Sequence, residues 1–304
     1  MRILVTGGAG FVGTNLIIRL LKEGHEVVSI DNYYTGKEEN HIEGCEYIDK
    51  DIRNIHNYDW LKVVYKIEDI SKLDYKNYLN FDKVFHLAAL SRIQPSFKEP
   101  KEYFTTNANG SINLIHWCAN NNIPVVYAGS SSKHSGKFKN PYTFSKDVGE
   151  EIVELYQKHY GLKASIARFY NVYGPYQLEE GGYCTVIGIW LRALRDNKPL
   201  LVTGDGEQRR DFTHVDDIVD ALWRIGIADA WGYEFELGKG ENYSLNELID
   251  VLEVTPEFVP ERPGEARVTL NTDTTAREVL GWEAKIDIID YLKYENKFNT
   301  TGKK

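Results

Sequence analysis

Short β-rich runs recur along the chain, separated by stretches whose apolar positions fall at helical spacing. The runs cover residues 2–6 (RILVT), 26–31 (EVVSID), 46–51 (EYIDKD), 83–88 (KVFHLA), 124–130 (PVVYAGS), 163–171 (KASIARFYN) and 234–238 (EFELG). Strands alternating with helices of ten or more residues imply right-handed βαβ crossovers and a doubly wound parallel sheet. Residues 11–23 read as a helix with Val12, Leu16, Ile17, Leu20 and Leu21 on one face and a stop at Gly24. Two further amphipathic helices are predicted, near 103–120 and over 142–160. After Asn171 the rhythm breaks into the Gly- and Pro-rich segments NVYGPYQLEEGGYC and ERPGEARVTLNTD, which suits a smaller lobe built for binding. A Tyr- and Lys-rich stretch over 55–80 is longer than a crossover needs, and the sequence assigns it no role.

The 304 residues suggest about two domains, and 42% hydrophobic with 27% charged residues is an ordinary globular composition. The 36 basic against 45 acidic side chains give a net charge of -9, so no basic field exists to collect nucleic-acid phosphates. An anionic substrate must then be held by local arginines. The start MRILVTGG enters a strand-like run with no signal-peptide pattern, and no stretch of 18 apolar residues occurs. The expectation is a cytoplasmic protein with no membrane partner. Three cysteines (Cys45, Cys118, Cys184) without CxxC spacing and eight scattered histidines predict no metal site. Organic cofactor chemistry becomes the favoured route.

Directly after the first run stands Thr6-Gly7-Gly8-Ala9-Gly10-Phe11-Val12-Gly13. Gly7 permits a tight turn, Gly10 lets backbone N–H groups of the Phe11-Val12 turn approach a pyrophosphate at a positive helix end, and Gly13 allows close helix–strand packing. Asp31 closes the second run 18 residues past Gly13. A carboxylate there accepts hydrogen bonds from adenosine ribose hydroxyls and repels a 2′-phosphate, which favours NAD over NADP. Asp51-Ile52, ending the third run, is expected to flank the adenine.

Asn140-Pro141-Tyr142-Thr143-Phe144-Ser145-Lys146 opens a helix, and the i, i+4 spacing puts the Tyr142 phenol and the Lys146 ammonium on one face. A phenol with pKa near 10 is a poor base at neutral pH, but a nearby ammonium and a positively charged nicotinamide favour phenolate. The fifth run ends in Ser130-Ser131-Ser132 beyond the sheet's carboxyl edge, where ligands bind in open α/β sheets.

Dinucleotide turn, Ser-rich strand end and YxxxK helix, in that order, resemble the extended branch of the short-chain dehydrogenase/reductase superfamily. The chain is similar in particular to the NAD-dependent nucleotide-sugar epimerase/dehydratase family, UDP-glucose 4-epimerase-like. The likeness runs over nearly the whole chain. Phe85-His86-Leu87-Ala88-Ala89 looks like the family's wall of the NAD site, and Asn107 like its helix asparagine near the cofactor. Asn32, Thr35 and Gly36 complete the implied NAD contacts, and Ser91 the substrate side. Arg168-Phe169-Tyr170-Asn171-Val172-Tyr173-Gly174-Pro175 resembles the sixth-strand exit, whose asparagine, here Asn171, meets the sugar diphosphate. Gly204-Asp205-Gly206 and Arg210-Asp211-Phe212-Thr213-His214-Val215-Asp216-Asp217 resemble a nucleotide-sugar signature in which the residue matching Arg210 reaches the nucleotide. Arg262 in Arg262-Pro263-Gly264-Glu265 would carry a diphosphate contact. Asp216 and Asp217 are read as helix caps, His214 as packed, and Leu280-Gly281-Trp282 as a helix end.

The resemblance implies a Rossmann-like α/β lobe, doubly wound, of residues 1–170 plus about 213–238, with a smaller mixed α/β substrate-binding lobe of about 171–212 plus 239–304. It implies Tyr142 taking the proton from a sugar 4-hydroxyl, Lys146 lowering the phenol's pKa and holding the nicotinamide ribose, and Ser131 bonding the reacting oxygen. It further implies a homodimer joined through the helices near 103–120 and 142–160. The nucleotide and the sugar stay open, as does the choice between 2-hydroxyl and 2-acetamido. Dehydratases of this branch carry Asp-Glu directly after the residue matching Ser131, and decarboxylases a glutamate at the second of those positions. Here stand Ser132 and Lys133, which favours epimerisation over a 4,6-dehydratase or a decarboxylase; a 4-keto reductase is the other rival. Only ten residues separate Ser131 from Tyr142, so the short loop could shift the alignment or bring in Glu179 or Glu180. A noncatalytic NAD-binding regulatory protein should have lost the Tyr, Lys or Ser, and all three are present.

Overall fold

Seven parallel strands carry the computed structural model, which describes residues 1–55 and 80–301. They are β1 (Arg2–Thr6), β2 (Glu26–Asp31), β3 (Cys45–Asp49), β4 (Lys83–His86), β5 (Val125–Ser130), β6 (Ala164–Phe169) and, after four short strands, β11 (Glu234–Leu237). The order across the sheet is β11-β6-β5-β4-β1-β2-β3. It reverses between β1 and β4, and the crevice outside the carboxyl ends of these strands is where such sheets bind ligands. The unassigned 55–80 stretch lies, apart from its two ends, outside the described residues.

Both faces of the sheet are covered, as an all-parallel sheet requires. On one face Leu4, Val28, Val84 and Val125 pack with Leu114, Ile115 and Val153 from helices Ser111–Asn120 and Pro141–Tyr160. On the other, Ile3, Val5 and Phe85 pack with Leu16, Ile17, Ile218 and Leu222 from helices Phe11–Lys22 and Val215–Ile227. Three two-stranded pairs lie apart: β7 (Val172–Tyr173) with β10 (Thr213–His214), β8 (Leu200–Thr203) with β13 (Pro256–Val259), and β9 (Arg209–Asp211) with β12 (Asn242–Ser244). A third apolar cluster of Trp190, Val202, Phe212, Leu248 and Leu292 fills the space beside them.

Two elements depart from the sequence pattern. The single helix expected near 103–120 is a composite: helix Pro100–Phe104, a π-helical turn at Thr105–Gly110, then helix Ser111–Asn120. The widened turn brings Asn107 inward, where its amide bonds both backbone groups of Leu90 and the Ser145 hydroxyl. Helix Val215–Ile227 is capped by His214, which accepts from the Asp216 N–H. Asp217, expected as a cap, is buried and instead accepts the N–H groups of Lys285 and Ile286.

Candidate functional site

Two adjoining cavities open over the sheet's carboxyl edge, and Tyr142 lines both. The first starts at the glycine turn. Gly7 sits at φ +75°, and a Cβ there would lie 2.8 Å from the Ala88 nitrogen; a Cβ on Gly13 would lie 2.1 Å from the Gly7 oxygen. Only glycine lets β1, β4 and the helix approach this closely. The N-cap of helix Phe11–Lys22 is Gly10, with no side-chain cap and no acidic residue in the first turn. The first-turn N–H groups of Phe11, Val12 and Gly13 are therefore left for an anion, which suits a dinucleotide pyrophosphate. Gly7, Gly10, Phe11, Val12 and Gly13 all line this cavity.

Asp31 lines the same cavity from the end of β2. Its carboxylate accepts the N–H groups of Ala9 and Tyr33, each at 2.9 Å, while burial pushes its pKa up against those bonds. Asn32, Thr35, Ile52, Leu87, Ala88 and Ala89 line it too. Gly36 stands behind Asp31, where a Cβ would come within 2.9 Å of the carboxylate. Asp51 does not line the cavity. It binds Arg53 through both oxygens and accepts from the Asn32 amide, and although burial opposes this, those bonds hold its carboxyl below the ordinary value. Arg53 and Asn32 face the cavity in its place. Asn107, expected beside the cofactor, is likewise behind the wall, fixing Leu90. His86 is buried and bridges Thr6 Oγ1 (2.7 Å) and Ser111 Oγ (2.9 Å); burial pushes its pKa down to about 3, so it is a neutral structural link.

The acid–base pair is set by one helix start. Asn140 caps helix Pro141–Tyr160 by accepting the Thr143 N–H at 2.8 Å, and Pro141 opens its first turn. The Tyr142 hydroxyl donates to Ser130 Oγ at 3.1 Å, and its ring meets Tyr103 edge-on with centroids 6.2 Å apart. One turn on, Lys146 is buried; its ammonium donates to the Ala128 carbonyl (2.6 Å) and the Tyr127 hydroxyl (3.2 Å). Burial pulls its pKa down to about 8, with Glu150 opposing. The phenol departs from the sequence expectation. Burial pushes the Tyr142 pKa up, and the opposing pull comes from the Ser130 hydrogen bond and the charge of Arg92. In the protein alone the desolvation of a phenolate outweighs the Ser130 bond and the Arg92 charge together.

The second cavity, of about 390 Å³, falls in the usual range of ligand pockets. Ser91, Ser131, Asn171, Arg210 and Arg262 line it, with Ser130 and Ser132. Asn171 adopts φ 26° and ties Asp211 and Thr269 together through its amide. Arg210 is mostly enclosed, donates to the Arg209 carbonyl and stands 3.6 Å from Glu265. Asn140 also donates to the Gly264 carbonyl, so the cap of the Tyr142 helix touches the segment carrying Arg262.

The sequence reading missed Lys50, Arg53, Tyr34, Tyr183 and, above all, Arg92, all on the cavity walls. For Arg92 the signal was present: a lone cation between apolar neighbours in Leu90-Ser91-Arg92-Ile93, just past β4.

Comparison with known proteins agrees with this geometry. The sequence profile described as the NAD dependent epimerase/dehydratase family matches residues 3–232. A UDP-glucose 4-epimerase of Mycolicibacterium smegmatis is 32% identical over 95% of this chain and 96% of its own length. A UDP-glucuronate 4-epimerase of Thermodesulfobacterium geofontis is 30% identical over 95% and 93%. The crystal structure of Thermotoga maritima UDP-glucose 4-epimerase with UDP-glucose superposes with a TM-score of 0.86 at 26% identity, covering 100% of both chains. With its glycine cradle, uncapped helix start and Asp31 fitted to a dinucleotide, the chain belongs to the NAD dependent epimerase/dehydratase family and uses NAD as its cofactor.

Proposed function

We propose that this enzyme interconverts C4 epimers of a nucleotide-diphosphate sugar, of UDP-hexose or UDP-N-acetylhexosamine type, through a transient 4-keto sugar. The observation that carries the reading is Tyr142, hydrogen-bonded to Ser130 at the junction of the two cavities, with Lys146 buried one turn behind it. Tyr142 takes the proton of the sugar 4-hydroxyl and later returns one. Ser130 supports the phenolate, Ser131 meets the reacting oxygen, and Lys146 supplies positive charge from behind. Bound NAD supplies the hydride acceptor and, on return, the donor.

Gly7 to Gly13, Asp31, Asn32, Thr35, Ile52 and Leu87 to Ala89 hold the dinucleotide, and Asn171, Arg210 and Arg262 hold the sugar nucleotide. The two lobes are residues 1–170 plus about 213–238 and about 171–212 plus 239–304, a division that the third apolar cluster supports as a core for the smaller. Among the described residues no helix is long and apolar enough to cross a membrane, in keeping with a cytoplasmic enzyme. Exposed Phe104, Ile112, Phe138 and Leu155 on or beside helices Ser111–Asn120 and Pro141–Tyr160 support a homodimer through that face, which light scattering at micromolar concentration tests.

The test of function is to incubate the NAD-loaded protein with UDP-linked hexoses, N-acetylhexosamines and uronic acids and follow products by NMR. A 4-epimer formed without added cofactor is expected; an unchanged panel overturns the reading. Tyr142→Phe should keep NAD and lose turnover by about 100-fold or more.

A further inference from the structure

Arg92 is a cation that the dinucleotide turn does not use and whose charge reaches the Tyr142 phenol without a hydrogen bond to it. It sits just past β4 with φ 102° and ψ 138°, a conformation L residues rarely hold. Its surroundings enforce that geometry. Fully buried Tyr103 donates to both the Ser91 and Arg92 carbonyls, at 3.1 and 2.9 Å, and Asn107 clamps the preceding Leu90 from both sides. Arg92 Nε donates to the Tyr183 carbonyl at 2.9 Å, which fixes the plane of the guanidinium. The titratable groups that act on it are the phenols of Tyr142 and Tyr103 and the thiol of Cys184, none of them a carboxylate. A guanidinium has five N–H donors, and one is engaged.

Arg92 is partly buried on the cavity walls, and a cation enclosed to that degree without a carboxylate is costly, so a strained backbone that holds one there points to a partner supplied from outside. Arg92 lines both cavities, as Tyr142 does, whereas Arg210 and Arg262 line only the larger. The diphosphate of a sugar nucleotide therefore has its own arginines, and the dinucleotide pyrophosphate has the helix start at Gly10. Beyond the Tyr142 phenolate, which forms only while the proton is in transfer, the anion left for Arg92 is one carried by the sugar close to the reacting carbon. On a hexopyranose, C5 adjoins C4 and bears C6. A planar, bidentate acceptor there matches the arginine fork.

Resting on the nucleotide-sugar reading above but replacing its neutral sugar with an acidic one, we propose that Arg92 is a substrate-recognition residue and that the sugar this site takes carries a carboxylate at C6, making it a nucleotide-linked uronic acid. Calorimetric titration of the NAD-loaded protein with UDP-glucuronate and UDP-glucose tests this in the wild type, Arg92→Met and Arg92→Lys. The ratio of the two Kd values within each protein cancels the nucleotide, the diphosphate and any change in folded fraction. The wild type should favour the uronate by on the order of 100-fold, the scale of a desolvated charge pair. The ratio should fall to unity or below in Arg92→Met and keep about a tenth of its value in Arg92→Lys. A wild-type ratio within about fivefold of unity overturns the proposal, and so does a uronate preference that survives Arg92→Met. An equal loss on both ligands in Arg92→Met, with the pH profile of kcat/KM displaced, assigns Arg92 to the Tyr142 phenolate and overturns it as well. If neither sugar nucleotide binds, the reading beneath falls and this one with it.

Discussion

The Tyr142 hydroxyl and Ser130 Oγ stand 3.1 Å apart, and Ser130 is the last residue of β5, held by the sheet. Ser131 begins the 3-10 turn that follows and faces the larger cavity. The two serines should therefore fail differently when removed. Ser130→Ala takes a hydrogen bond from the phenolate, and such a bond to a charged group is worth about 1.5–3 kcal/mol, or roughly 10- to 100-fold in kcat. It should also move the ascending limb of the kcat/KM pH profile to higher pH, because the Ser130 bond lowers the phenol's pKa. Ser131→Ala should lower turnover while leaving that limb in place. A pH shift in Ser131→Ala and none in Ser130→Ala would reverse the assignment.

The sheet was legible because all seven of its strands carry their own apolar runs and turn signals, and the order follows from right-handed crossovers. The glycine turn and the Tyr142 helix start were legible because each is local: glycines, a cap and an i, i+4 pair lie within a few residues. What stayed hidden depends on contacts distant in sequence. Asp51 turns to Arg53 and not to the cavity, Asn107 is drawn inward by a π-helical turn, and Arg92 is shaped by Tyr103 and Tyr183. The phenol's raised pKa is a burial effect, which no spacing of residues records.

Asp31 governs the choice of dinucleotide. Its buried carboxylate is pinned by the Ala9 and Tyr33 N–H groups, so it cannot swing away from a 2′-phosphate. Opposed like charges cost several kcal/mol, so NADP should bind about 100-fold or more weakly than NAD. Asp31→Asn should narrow the gap. Comparable affinities in the wild type would remove Asp31 from this role.

Lys146 ties activity to a pH-dependent cost in stability. Its pKa falls from 10.5 to about 8 through burial, so below pH 8 the folded protein carries the full cost of a desolvated ammonium. As pH rises from about 8 toward 10.5 the folded state loses its proton first and the cost is relieved. A fall of that size costs on the order of 3 kcal/mol. Lys146→Met should be inactive, and its stability relative to wild type should be greater at pH 7 than at pH 10, read by denaturant unfolding at each pH. A difference between the two proteins that does not change with pH would show that the lysine is not desolvated.

The last prediction concerns the fate of the 4-keto sugar. Oxidation at C4 acidifies C5, and elimination then needs a base for that proton with an acid for the C6 substituent; loss of CO2 from a uronate needs a proton donor to C5. The position where related enzymes place that glutamate is Lys133, and its ammonium is bound to Glu150 at 3.0 Å and stands 3.5 Å from Asp147, both buried. Lys133 is absent from the lining of either cavity among the described residues, and Glu150 holds its pKa up although burial works against it. The carboxylates that a short loop could have supplied are also engaged elsewhere: Glu179 pairs with Arg195, and Glu180 with Arg192. Glu265, which does line the larger cavity, faces Arg210. No carboxylate described at the reacting end is free to move a proton at C5, which leaves the ketone to take its hydride back. Wild-type protein given a nucleotide hexose or uronate should yield the 4-epimer alone by NMR. Lys133→Glu should gain nothing, because a glutamate there meets Glu150 and Asp147 instead of substrate. A 4-keto-6-deoxy sugar or a pentose from the wild type would show that another acid–base group reaches C5.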